Sequence, residues 1–195
     1  MRNNEGVSVK GFVAITALIL LAAGQAASKE KIVNGNFEAG NTGFSTEYTF
    51  VDTCGQFGAY MIAVDPHAVC DAWPDMSDHT SGAGLMMIVD GATTEGTSIW
   101  SETVKVQPGQ TYNFGYWAAT IDGPFGAALQ VYINGVPVGD LLTLPAQYDG
   151  KWYHAKLQWT AGSKRRATIT LVDTVTEGAN GNDFVLDDLS LKPAK

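Results

Sequence analysis

An all-β sandwich of the jelly-roll kind is the fold this 195-residue sequence predicts. Three observations carry that expectation. Short apolar stretches recur between turn residues, several alternate apolar and polar side chains with period two, and helical periodicity is scarce. Many short strands with regular turns close into two packed sheets.

In chain order, the first stretch that looks folded is "KIVNGNFEAG" (31–40), read as an opening strand interrupted by Glu38. "GLMMIVDG" (84–91), "SIWSETVKV" (98–106), "TYNFGYWAATI" (111–121) and "ALQVYIN" (128–134) follow. "WYHAKLQW" (152–159), "RATITLVD" (166–173) and "FVLDDLSL" (184–191) complete the set. Each is bounded by Gly, Pro, Asn or Asp. "QPGQ" (107–110) punctuates the chain with Pro and Gly, and the Asn-Gly of "INGV" (133–136) accepts positive φ, as a hairpin turn requires. No linker, repeat or low-complexity tract interrupts residues 27–195, which read as one domain.

The alternation also sorts the faces. Tyr112, Phe114, Tyr116 and Ala118 share one side, and Asn113, Gly115 and Trp117 the other. Leu129, Val131 and Ile133 form a core set opposite Gln130, Tyr132 and Asn134. Tyr153, Ala155, Leu157 and Trp159 look inward, with His154, Lys156 and Gln158 outward. Three consecutive strands are therefore expected to place Trp117, Tyr132, Gln130, Asn113 and Gln158 on one non-core face. Flat aromatics among amides suit a sugar, whose C–H faces stack and whose hydroxyls hydrogen-bond. Packing of Trp117 and Tyr132 beneath loops fits the same periodicity.

Residues 1–26 read as a cleaved secretory signal: Arg2 and Lys10, an apolar run from Phe12 to Ala23, then Gly24-Gln25-Ala26. The run is shorter than the roughly 20 residues a membrane span needs. The expected location is secreted: extracellular, cell-surface or periplasmic. Losing this segment takes the net charge from −8 to −9, with 10 basic residues against 19 acidic. That balance excludes a nucleic-acid partner, which demands a basic footprint. Cys54 and Cys70, the two cysteines of an exported chain, are expected to pair. No catalytic motif occurs, and His67, His79 and His154 lie in separate segments. A non-catalytic protein is therefore expected.

"IVNGNFEAGNTGF" and "GNDFVLDDLSL" resemble the opening and closing segments of jelly-roll carbohydrate-binding modules. The nearest are families four, nine and twenty-two, within the galactose-binding-domain-like fold. The stretch from Asp78 to Trp117 is similar to that of uncharacterised exported bacterial proteins. The likeness spans residues 31–192. It implies a polysaccharide or glycan partner and a structural calcium ion tying the chain's ends together. Carried over by motif, the ion's ligands would be Glu38 and Asp187, with Asp78 as a weaker candidate and carbonyls from "DHTSGAG" (78–84). The alternation agrees by placing Asp187 inward, with Val185, Leu189 and Leu191, and Asp188 outward. The alternative is that both acids accept backbone hydrogen bonds. Segment 53–80 departs from the simpler modules. Its stapled loop and Trp73 could wall a binding site or cover a sheet edge. A structural or adhesive surface protein, contacting other surface or matrix proteins, is the rival reading.

Overall fold

The computed structural model describes Met1 and residues 29–195, so the segment read as a secretory signal lies, apart from Met1, outside the described residues. Strands form where β-branched and aromatic residues alternate with polar ones. They are β1 (Thr49–Phe50), β2 (Ala59–Ala63), β3 (Met86–Asp90), β4 (Ser98–Lys105) and β5 (Thr111–Thr120). After these come β6 (Ala128–Ile133), β7 (Val136–Thr143), β8 (Tyr153–Thr160), β9 (Arg166–Asp173) and β10 (Phe184–Pro193). A single turn of helix, α1 (Pro66–Val69), sits between β2 and β3. Among the described residues no helix is long and apolar enough to cross a membrane.

Two sheets face each other, in the orders β1-β2-β3-β10-β5-β8 and β4-β9-β6-β7. Their inner faces bury Phe114, Tyr116 and Ala118 of β5 against Leu129, Val131 and Ile133 of β6, with Ile169, Leu171, Leu186 and Leu191. The jelly-roll expectation holds. So does the hairpin at Asn134-Gly135, where φ is 54° and 78° and the two-residue turn joins β6 to β7.

The topology divides the expected aromatic face. The strands β5 and β8 lie in the six-stranded sheet and β6 in the other, so Tyr132 and Gln130 point away from Trp117, Asn113 and Gln158 across the whole sandwich. Alternation assigns a residue to a face of its own strand, whereas the crossover decides which sheet that strand joins.

"KIVNGNFEAG" is not a strand. It runs as turns, with Asn34 and Phe37 at φ 56° and 55°. It lies along β10, whose Leu191 carbonyl accepts the Lys31 N–H at 3.0 Å and whose Leu189 N–H donates to the Gly35 carbonyl at 2.8 Å. A Cβ at Gly35 would come within 2.0 Å of the Leu189 oxygen, so only glycine permits the approach.

The inward parity expected for Asp187 is also overturned. Asp187 pairs with Trp117 and Ser190 with Gly115, so β10 carries one extra residue between them. Asp188, at φ 53°, marks this bulge. Phe184 and Leu186 before it, and Leu189 and Leu191 after it, all reach the sandwich core. Val185 and Asp187 turn to the opposite, outer face.

That outer face carries a second apolar layer. Met61, Met86, Ile88, Ala119 and Val185 rise from β2, β3, β5 and β10, with Ile121 just past β5, to meet Trp73, Met76 and Cys70. Strand β3 is consequently buried on both faces, which explains its unbroken apolar run. The covering segment is fastened at three points. Cys54 and Cys70 form a disulfide across 16 residues. Asp65 caps α1 by accepting the His67 N–H at 3.1 Å, and it also accepts the Met76 N–H. The Trp73 Nε1–H donates to Asp183 at 3.1 Å. Trp73 is only 4 % exposed. The expected loop contact for a ligand is thus the centre of a lid over the sheet face.

Two outcomes follow. Replacing Cys54 and Cys70 together by serine is expected to cost about 3 kcal/mol, the chain-entropy value for a loop of this length, read as a lower urea midpoint. The second concerns acid. Burial first, then the neighbouring Asp90 and Asp122, pushes the Asp183 carboxyl up to about 7, and burial raises Asp173 to about 6. A carboxyl whose folded pKa is raised binds its proton earlier in the native state than in the unfolded chain. Stability is therefore gained as pH falls through about 7 toward about 4. His154, pushed toward neutral chiefly by burial, works in the opposite direction. The comparison with Asp183→Asn isolates the acid: the stability gain between about pH 8 and pH 5 should shrink in the variant.

Candidate functional site

The lid covers only part of the outer face. Where it stops, β10, β5 and β8 floor an open groove of about 1100 Å³, walled on one side by Glu30, Gly35 and Asn36. Strand register lays the floor out as a grid. Asp187, Trp117 and His154 form one row, Ser190, Gly115 and Lys156 the next, and Lys192, Asn113 and Gln158 the third. Strands stand about 4.8 Å apart and rows about 7 Å apart.

The first row is built by the loop "DHTSGAGL" (78–85). Asp187, fully buried, accepts the His79 N–H at 2.9 Å, the Thr80 N–H at 3.1 Å and the Asp188 N–H at 2.7 Å. Asp188 accepts the Thr80 hydroxyl at 2.7 Å and pairs with His79 Nδ1 at 2.7 Å. Asp78 closes the loop on itself, accepting from the Ser81 and Gly84 N–H groups, both at 2.7 Å. Glu38 accepts the Leu85 N–H at 3.1 Å. Burial leads in pushing the Asp187 carboxyl up to about 6, against the lowering pull of these amides.

The three acids expected to bind calcium thus converge on one loop, and they engage its backbone donors. Calcium takes six to eight oxygens. Among the described residues no three His, Cys, Asp or Glu side chains are grouped to hold a metal. These bonds are those of the hydrogen-bonding alternative.

Held by Asp188, the His79 ring stacks on Trp117 with centroids 3.9 Å apart, and His154 stacks on the same indole at 4.0 Å. Two imidazoles cannot share one indole face at these distances, so they cover opposite faces. Trp117 therefore meets the groove by its edge, and the exposed ring of the stack is His154. The expected sugar-stacking indole is a packed plate. In the third row Gln158 Nε2 donates to Asn113 Oδ1 at 2.9 Å. This leaves the Asn113 amide N–H groups and the Gln158 carbonyl without partners among the described residues.

Of the expected binding residues, Trp117, Asn113 and Gln158 come together. Tyr132 and Gln130 lie on the other sheet, and Gln130 is engaged with the Val131 and Val138 carbonyls. Trp73 is inside the lid. The residues that sequence reasoning passed over are His154 and Lys156, which its alternation had already turned outward, and Ser190, Lys192 and Asp188, whose placement depends on the bulge.

No protein-family model matches this sequence, and no curated protein does. Solved structures do. The chain is similar to the CBM22-1 xylan-binding domain from Paenibacillus barcinonensis Xyn10C, at 16 % identity and TM-score 0.55, covering 87 % of this chain and 97 % of that one. The fold is the jelly roll of these modules. TmCBM61, solved in complex with beta-1,4-galactotriose, is similar at 16 % identity and TM-score 0.56, covering 86 % of this chain and all of that one. The CBM22-1-CBM22-2 tandem of the same Paenibacillus protein reaches a TM-score of 0.58 at 14 % identity, where this chain spans 47 % of the tandem.

With backbone donors on these acids and no grouped metal-ligand set among the described residues, adding calcium or a chelator is expected to leave the thermal unfolding midpoint unchanged. An ion bound only to the native state would raise it by mass action.

Proposed function

We propose that this chain is a non-catalytic carbohydrate-binding module whose site is the groove over β10, β5 and β8. The observation that carries the reading is the groove floor. It is an open, elongated surface where hydrogen-bonding side chains stand in rows beside an exposed ring. Asn113 and Gln158 supply one free donor group and one free acceptor for hydroxyls. His154 offers a flat face to sugar C–H groups, and Gly115 lets that ring lie down over β5, since a Cβ there would meet His154 Nε2 at 3.1 Å. Trp117 serves by holding His154 in place. The likeness to a xylan-binding domain and to a domain solved with beta-1,4-galactotriose supports the sugar class, and the Cys54–Cys70 disulfide supports a location in an oxidising compartment.

The test is binding of the purified protein to a panel of soluble and insoluble glycans. The double variant Asn113→Ala with Gln158→Ala changes two exposed residues, so its stability should stay within about 0.5 kcal/mol of the parent. Losing two hydrogen bonds should weaken glycan binding by about tenfold or more. A folded parent that binds no glycan would instead support the structural or adhesive reading.

A further inference from the structure

We infer that the groove selects an acidic polysaccharide, with Lys156 receiving the carboxylate or sulfate of an anionic sugar. This rests on the proposed sugar site and adds the substrate's charge.

The argument begins with where the basic residues lie. Residues 27–195 carry 10 Lys and Arg against 19 Asp and Glu. The groove alone contains Lys156, Lys192 and Lys195 against Glu30 and Asp188. The rest of those residues, counting Asp187 buried beneath the first row, therefore hold 7 basic side chains and 17 acidic ones, so basic residues are enriched at the groove. An acidic protein that gathers lysines at one concave surface concentrates anions there by focusing the field.

The pairing pattern sharpens this. Glu30 is occupied: it accepts the Ser190 hydroxyl at 2.5 Å and the Leu191 N–H at 2.7 Å, and it stands 3.5 Å from Lys192 Nζ. Asp188 is held by Thr80 and His79. Both groove acids thus face donors from the protein. Lys156 has no carboxylate within ion-pair distance among the described residues. It lies two residues from His154 on β8, so the two exposed side chains share the groove face of that strand. A sugar stacked on His154 would therefore bring an acidic substituent to a lysine that has no carboxylate partner among the described residues.

The test compares three soluble polymers by calorimetry on the purified protein: polygalacturonate, its fully methyl-esterified form and a sulfated galactan. The parent is set beside Lys156→Gln, and beside Lys105→Gln as a control on the other sheet. The expected result is that a charged polymer binds better than the neutral ester. Lys156→Gln should weaken that binding by about fivefold, the upper range for one exposed charge pair, with Lys105→Gln unchanged. Raising salt from about 0.05 M to about 0.5 M should erase the preference. Preference for polygalacturonate assigns the anion as carboxylate, and preference for the sulfated polymer assigns it as sulfate. Equal binding of free and esterified forms, still lost in Asn113→Ala with Gln158→Ala, overturns the charge selection and leaves the sugar groove standing. No binding of any polymer, here or in the wider glycan panel, overturns both.

Discussion

The two carboxylates at the bulge of β10 hold the outer face together. Asp187 gathers the amides of His79, Thr80 and Asp188, and Asp188 takes the Thr80 hydroxyl and the His79 ring. A buried carboxylate is tolerated only when its oxygens are hydrogen-bonded, and these are. From that anchor the contacts run outward in sequence. The anchored loop positions His79, His79 and His154 clamp the Trp117 ring, and the finished stack ends the groove. Had β10 continued without the extra residue, Asp187 and Leu189 would share one face. Either a carboxylate would enter the sandwich core or two leucines would leave it.

The lid and the groove divide one sheet face by composition. Under the lid the strands present Met61, Met86, Ile88 and Val185, which need burial. In the groove the same strands and their neighbour β8 present Asn113, Lys156, Gln158 and Lys192, which do not. The disulfide, the Asp65 cap and the Trp73–Asp183 bond fix the lid where its apolar partners lie. With the lid fixed there, the groove beside it stays uncovered. Such preformed concavity lets a module bind an extended chain without first ordering its own loops.

The histidines show how far segment-by-segment reading can mislead about chemistry. His79 and His154 are 75 positions apart in sequence, yet they flank one indole with a carboxylate beside them. Their placement follows from a loop anchored on β10 and from the β5–β8 register. Stacked and hydrogen-bonded in this way, they shape the surface that a ligand would meet. The exposed polar grid beside them supports recognition of a hydroxyl-rich ligand.

The sequence by itself determined the all-β class, the strand positions from 84 to 191 apart from the extent of β7, the Asn134-Gly135 hairpin, the Cys54–Cys70 pair and the outward set of β5 and β8. Each of these is a local property: period two, turn chemistry or an isolated cysteine pair. Tertiary structure decided what local signals cannot carry. It chose the sheet for β6, and so separated Tyr132 and Gln130 from Trp117. It inserted the bulge that reversed Asp187, turned residues 31–40 into a strap along β10, and buried Trp73. It also sandwiched Trp117 between two imidazoles and gave Glu38, Asp78 and Asp187 backbone donors. Each of these depends on which distant segment packs against a residue. Alternation records only that a side chain points to one face or the other, and the partner that meets it there is set by the crossovers between sheets.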